Sequence, residues 1–130
     1  MQKRGSLIYK GLIVTIAIGI VILIYTEAGA SFGSQRAFYK LAVAKDIALL
    51  IDSLYAMPGD VKTAYDKDLS KYAIVVNANV VKVYETNLGI ADITSAQYKF
   101  FGHEISNVKV ENPKHLIITK TNDKITLSRE

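Results

Sequence analysis

From Gly11 to Thr26 the chain reads GLIVTIAIGIVILIYT without one charged side chain, and this run constrains everything else. Extended back to Leu7 it gives about 19 uncharged residues interrupted only by Lys10, which at ~1.5 Å per helical residue is roughly 28 Å, close to the hydrocarbon thickness of a bilayer. A membrane-spanning helix is predicted. Lys10 lies near the amino-terminal end, where its stem can stay in hydrocarbon while the ammonium reaches the headgroups, and Tyr9 and Tyr25 stand where interfacial aromatics belong. Lys3, Arg4 and Lys10 precede the run, whereas Glu27 is the first charge after it and Arg36 the first cation. The positive-inside rule then predicts a cytoplasmic amino terminus and an extracytoplasmic remainder.

Within the run, Gly11, Thr15 and Gly19 recur every four residues and share one helix face. Small residues at this spacing let two helices approach closely in lipid, so the expected partners are the bilayer itself and, within it, further copies or other membrane proteins. Two processing sites are readable at the ends. Ala28-Gly29-Ala30 is a small-residue site of the kind that follows a signal-peptide core, and cleavage after Ala30 would release a secreted domain. The run is longer than the usual ~7 to 15 residues of such a core, which favours a retained anchor. At the other end, Lys3-Arg4-Gly5 resembles the cleavage site of archaeal class III, prepilin-like signal peptides, in which a basic leader is removed and the apolar helix kept. Lys10 stands where type IV pilins usually carry Glu.

The rest of the chain is of one-domain size. With 130 residues in all, 50% of them hydrophobic, a second independent core has no room. The absence of cysteine rules out a disulfide framework, a thiolate metal site and a Cys nucleophile. The formal charge of +4 is concentrated in the residues before the apolar run, so the remainder is no polycation and nucleic acid is not an expected partner.

Ala28 to Ser34, AGASFGS, is rich in small residues and predicts a flexible joint between the anchor, residues 1–27, and an extracytoplasmic domain, residues 35–130. From Gln35 to Met57 the pattern is helical. Ala37, Leu41, Ala44, Ala48, Ile51 and Tyr55 form one apolar line and Val43, Ile47, Leu50 and Leu54 a neighbouring one, with Leu41, Ile47, Leu50 and Leu54 expected in the core or in an assembly contact. The apolar surface is wider than packing on one sheet face requires, which leaves room for a second cover, from another subunit or from later loops. Pro58-Gly59 ends the helix.

After Gly59 the chain reads as antiparallel β structure. Val61 to Tyr65 is a strand, DKDLSK a polar loop, and Tyr72–Val76 and Val80–Tyr84 form a hairpin about Asn77-Ala78-Asn79. Val108–Val110 is a strand ended by Pro113, and LIITK and KITLS make a second hairpin around Asn122-Asp123. Residues 87–106 are ambiguous, with Tyr98–Phe101 compatible with a strand or a helical turn. The expected fold is α+β: a transmembrane helix, a second apolar helix, then an antiparallel β-meander of five to seven strands that needs that helix on its face. The run Lys45 to Glu85, with its Tyr-Ala-x-Pro-Gly turn leading into the strands, is similar to a recurring block in small archaeal single-pass membrane proteins of pilin-like layout. That resemblance implies architecture, not an active site.

No convergent reactive set is readable. His103 and His115 are isolated and lack a third ligand, so no metal is expected. Asp66 and Asp68 flank Lys67 without the later oxygen ligands of a calcium loop. Asp46 and Asp52 are about 240° apart around a helix and cannot form an acid–base pair. No serine elbow or phosphate cradle occurs, so no cofactor is expected. Lys99, Lys109, Lys114, Lys120 and Lys124, with Phe100 and Phe101 nearby, read as the solubilised outer side of a sheet. The sequence therefore predicts a non-enzymatic, membrane-anchored subunit of a membrane-associated or extracellular assembly. A tethered or secreted module that binds a ligand through residues 86–106 is the alternative.

Overall fold

The computed structural model describes residues 2–33 and 35–130, and the chain divides into two compact units, Met1–Gln35 and Arg36–Glu130. The first unit is a single helix, α1 (Gln2–Gly33). Its stretch Gly5–Ala30 is long and apolar enough to cross a membrane, and none of it is buried. Of the expected joint, residues 28–34, residues 28–33 are helical and residue 34 lies outside the described residues. Each glycine costs about 1 kcal/mol relative to Ala in a helix interior, which weakens a helix without breaking it, and Ala28 and Ala30 favour the conformation most strongly. Gln35 follows with a left-handed backbone, φ 59°.

The second unit opens with α2 (Arg36–Ala56), which ends where Pro58 and Gly59, the latter at φ 79°, forbid another turn. Seven strands follow: β1 (Val61–Tyr65), β2 (Tyr72–Ala78), β3 (Val80–Glu85), β4 (Ala96–Lys99), β5 (Ile105–Glu111), β6 (Leu116–Thr121) and β7 (Lys124–Arg129). All pairings are antiparallel, and the α+β class is as expected. The strands do not run as one meander: they form a three-stranded sheet ordered β1-β6-β7 and a four-stranded sheet ordered β4-β3-β2-β5. The two hairpins are local. Asn77 pairs with Val80 around Ala78 at φ 52°, and Thr121 pairs with Lys124 around Asn122 and Asp123, at φ 49° and 60°. The second is the mirror-image turn whose twist suits flanking strands. The ambiguous segment 87–106 resolves into a 3-10 turn at Gly89–Ala91, the strand β4, and the start of β5.

The two sheets approach each other at β5 and β7, and α2 lies across β3 and β4 while touching β6. One core results. Val43, Ala44, Ile47, Ala48, Ile51 and Leu54 of α2 meet Ile74, Val76, Val81 and Val83 of the larger sheet and Leu116, Ile118, Ile125 and Leu127 of the smaller. Ile47 and Leu54 are therefore core residues and Leu50 is partly buried against them. Leu41 is not; it is 44% exposed. The buried stripe runs 40-43-44-47-48-51-54, and at about 100° per residue Leu41 points well off its centre, a direction Lys40 takes instead. Leu69 corrects the loop reading in the same way. DKDLSK is polar except for this side chain, which is fully buried while its N–H donates to the Pro113 carbonyl (3.2 Å).

Candidate functional site

Lys40 is the feature that residue type alone would place wrongly: periodicity puts it on the core stripe, where a lysine must find partners or lose several kcal/mol. It finds three. Its Nζ donates to Asp92 Oδ2 (2.5 Å) and to the Thr94 hydroxyl, and lies 3.5 Å from Glu85 Oε1. Asp92 sits in the segment between the 3-10 turn and β4, and it accepts further bonds from the Glu85 N–H (2.8 Å), the Thr94 N–H (2.9 Å) and the Thr94 hydroxyl (2.7 Å). Asp92-Ile93-Thr94 thus closes on itself as an Asx-type turn. Burial pushes the Asp92 carboxyl up, but the Lys40 ammonium, the Thr94 hydroxyl and the two backbone N–H groups outweigh it and hold it at about 2. With both oxygens occupied, this carboxylate is a clamp and not a proton acceptor. Among the described residues no buried side-chain nitrogen or oxygen lacks a hydrogen-bond partner.

The network supports one wall of a surface groove of about 600 Å³. Glu85, held by Lys40 below and by Arg36 Nη1 at 3.8 Å, lines it together with Lys71, Tyr72, Asn87 and Asn112. The backbone here is tied down: the Thr86 N–H donates to the Lys71 carbonyl (3.1 Å), the Asn112 N–H to the Tyr72 carbonyl (3.0 Å), and the Thr86 hydroxyl to Asn112 Oδ1 (2.5 Å). Asn112 takes the left-handed conformation (φ 49°) that Asn tolerates better than most residues. Beside the groove the Tyr39 and Tyr72 rings pack at 5.4 Å, and burial raises the Tyr72 phenol. Two cations, amides, hydroxyls and an aromatic pair in a preformed cleft suit a polar ligand.

The other residues singled out by sequence are placed as follows. Gly5, Gly11, Thr15, Gly19 and Ala30 lie within α1; Gly11 and Gly19 have open space where a Cβ would stand, and the Thr15 hydroxyl donates to the Gly11 carbonyl (2.9 Å). Asp46 and Asp52 serve different segments. Asp46 accepts from the Tyr65 hydroxyl and from Lys67, both at 3.0 Å, while Asp52 Oδ1 accepts the N–H groups of Phe101 and Gly102, at 2.8 and 2.9 Å. His103 stacks edge-on against Tyr55, and His115 lies 3.3 Å from Asp66. Among the described residues no three His, Asp or Glu side chains gather as a metal site. Lys120, expected on an outer face, is 3% exposed: it turns inward to give its Nζ to the Met57 carbonyl (2.6 Å) and so caps the end of α2. Phe100 is fully buried and Phe101 is 92% exposed.

These features define an α+β domain of two antiparallel sheets around one helix, preceded by a helix with the length and polarity of a membrane span. No family model, curated protein or solved structure matches the chain. Sequence reasoning missed Lys40, Glu85, Asp92 and Thr94. The signals were present: a lysine three and four residues before Val43 and Ala44 on an apolar stripe, and an Asp-x-Thr turn.

Proposed function

We propose that the protein is a non-enzymatic, single-pass membrane subunit of a membrane-associated or extracellular assembly, pilin-like or secretion-apparatus-like in layout. Its amino terminus is cytoplasmic and residues 36–130 are extracytoplasmic. One observation carries the reading: the stretch Gly5–Ala30 of α1 is long and apolar enough to cross a bilayer and none of it is buried, which lipid or neighbouring helices would remedy. The spacing Gly11, Thr15, Gly19 supports self-association, since its face is open to close approach. Leu49 and the fully displayed Phe101 add apolar contacts on the domain.

Size measurement in mild detergent tests this. The wild-type chain is expected to run as an oligomer that dissociates when Gly11 and Gly19 are both changed to Leu; a monomer indifferent to that change would refute self-assembly. The groove flanked by Arg36, Lys71 and Asn87 favours a second reading, a tethered module that holds a polar ligand, for which a monomer is the expected state.

A further inference from the structure

The flank of α2 turned away from the core carries Phe38, Leu41, Ala42 and Lys45, which share one side of the helix at about 100° per residue. Phe38 is 70% exposed and Leu41 44%, while Ala42 and Lys45 are also exposed. An open Phe and Leu one turn apart are not the usual face of a helix bathed in water. Their position along the chain says what covers them. Only residues 34 and 35 separate the end of α1 from the start of α2, so Phe38 lies five residues beyond Gly33, a reach of at most about 18 Å of extended chain. A face so tethered to a membrane span, with an aromatic ring, an aliphatic side chain and a lysine that can reach anionic headgroups, has the composition of an interfacial helix.

We infer that the Phe38–Leu41–Lys45 face of α2 is a membrane-docking surface, seated in the headgroup region of the bilayer that α1 spans. This rests on the reading of α1 as the anchor. The bilayer then holds the protein twice, by a spanning helix and by an interfacial face, and the amino-terminal end of α2 is the end of the domain turned to the lipid. Leu49 and Phe101, farther from the tether, stay free for protein contacts.

The chain has no cysteine, so single-cysteine variants of the full-length protein report one position each. Ile18→Cys in α1, Phe38→Cys, Leu41→Cys and Phe101→Cys would carry an environment-sensitive fluorophore in nanodiscs of phosphatidylcholine and phosphatidylglycerol, with and without acyl-chain bromine. All four positions are exposed, so far-UV circular dichroism should match wild type. Interfacial insertion by about 5–10 Å predicts that labels at 38 and 41 are quenched by bromolipid at least about half as strongly as the label at 18 and are shielded from aqueous iodide. The label at 101 should respond to iodide alone. If 38 and 41 behave like 101 while 18 is quenched by lipid, the docking face is wrong and the anchor stands. Failure of 18 itself to sense lipid would overturn the anchor and the docking face together. Shielding of 38 from iodide without lipid quenching, accompanied by energy transfer between copies labelled at 38, would assign the face to a second copy and refute the inference.

Discussion

Replacing Lys40 by Met keeps most of the buried stem and removes the charge. Asp92, with a side chain 1% exposed, then retains its bonds from the Glu85 N–H, the Thr94 N–H and the Thr94 hydroxyl but has no counter-charge. Glu85 retains Arg36 at 3.8 Å, a partner 58% exposed and correspondingly weak. Breaking a buried pair by deleting one member costs about 3–5 kcal/mol, because the remaining charge stays desolvated. Urea unfolding of residues 36–130 at pH 6 should show this loss. Asp92→Asn in the same background should then cost much less than it does alone, with a coupling of about 2 kcal/mol. The pH dependence follows from the Asp92 carboxyl, held at about 2, well below the 3.8 of an ordinary aspartate. A carboxyl depressed by folding contributes stability that is fully present above its unfolded value and lost as pH falls through its folded one. The contribution is about 2 kcal/mol at 1.36 kcal/mol per pH unit, so wild-type stability should begin to fall below about pH 4 and lose about that amount near pH 2, and the gap to Lys40→Met should narrow over the same range by the share that Lys40 supplies. A loss under about 1 kcal/mol at pH 6, or a gap unchanged by acid, would refute the buried-clamp account.

Other expectations are simpler. Ile47→Ala should cost about 2–5 kcal/mol and Leu41→Ala less than about 1, and equal losses in urea unfolding would contradict their exposures of 0% and 44%. Ala78 holds a left-handed backbone at φ 52°, so Ala78→Gly should raise stability by about 0.5–1 kcal/mol, read as a higher melting temperature; a lower one would mean the turn is not strained. A Cβ at Gly102 would stand 2.1 Å from Tyr55 Cδ2, and Gly102→Ala should cost about 1–3 kcal/mol in urea unfolding; an unchanged stability would refute the close packing of the Tyr55 ring on this backbone. The Tyr65 phenol is pushed up to about 12 by burial and by its bond to Asp46. Because the unfolded chain releases that proton near 10, stability should fall between pH 10 and 12, and Tyr65→Phe should lessen this decline, to which the raised Tyr55 and Tyr72 phenols also contribute, and remove the last step of the near-UV tyrosine titration; a decline as steep as wild type would refute it.

Much of the architecture was legible because it depends on local rules. The apolar run, the helix stop at Pro58-Gly59 and both hairpin turns need only short-range patterning, and each stands where the residues placed it. The site was not legible. Lys40, Glu85 and Asp92 are separated in the chain by up to 52 residues, and their meeting depends on α2 lying across β3 and β4. Residue type pointed the wrong way at three positions: Lys40 and Lys120 are buried where a lysine is expected outside, and Leu41 is exposed where a leucine is expected inside.

The reason is physical. A helix forms from bonds among neighbours in sequence, and a strand is marked locally by alternating side chains and turn residues, so the sequence by itself determined a membrane-length apolar helix, a second helix with an apolar stripe, and a series of strands, while the partner of each strand was set at long range, as Val61 opposite Lys120 shows. Which side chain occupies the core depends on what faces it from a distant segment. A carboxylate or a helix-end carbonyl waiting there turns a buried ammonium from a cost of several kcal/mol into a clamp, and that was decided only when the two sheets and α2 came together.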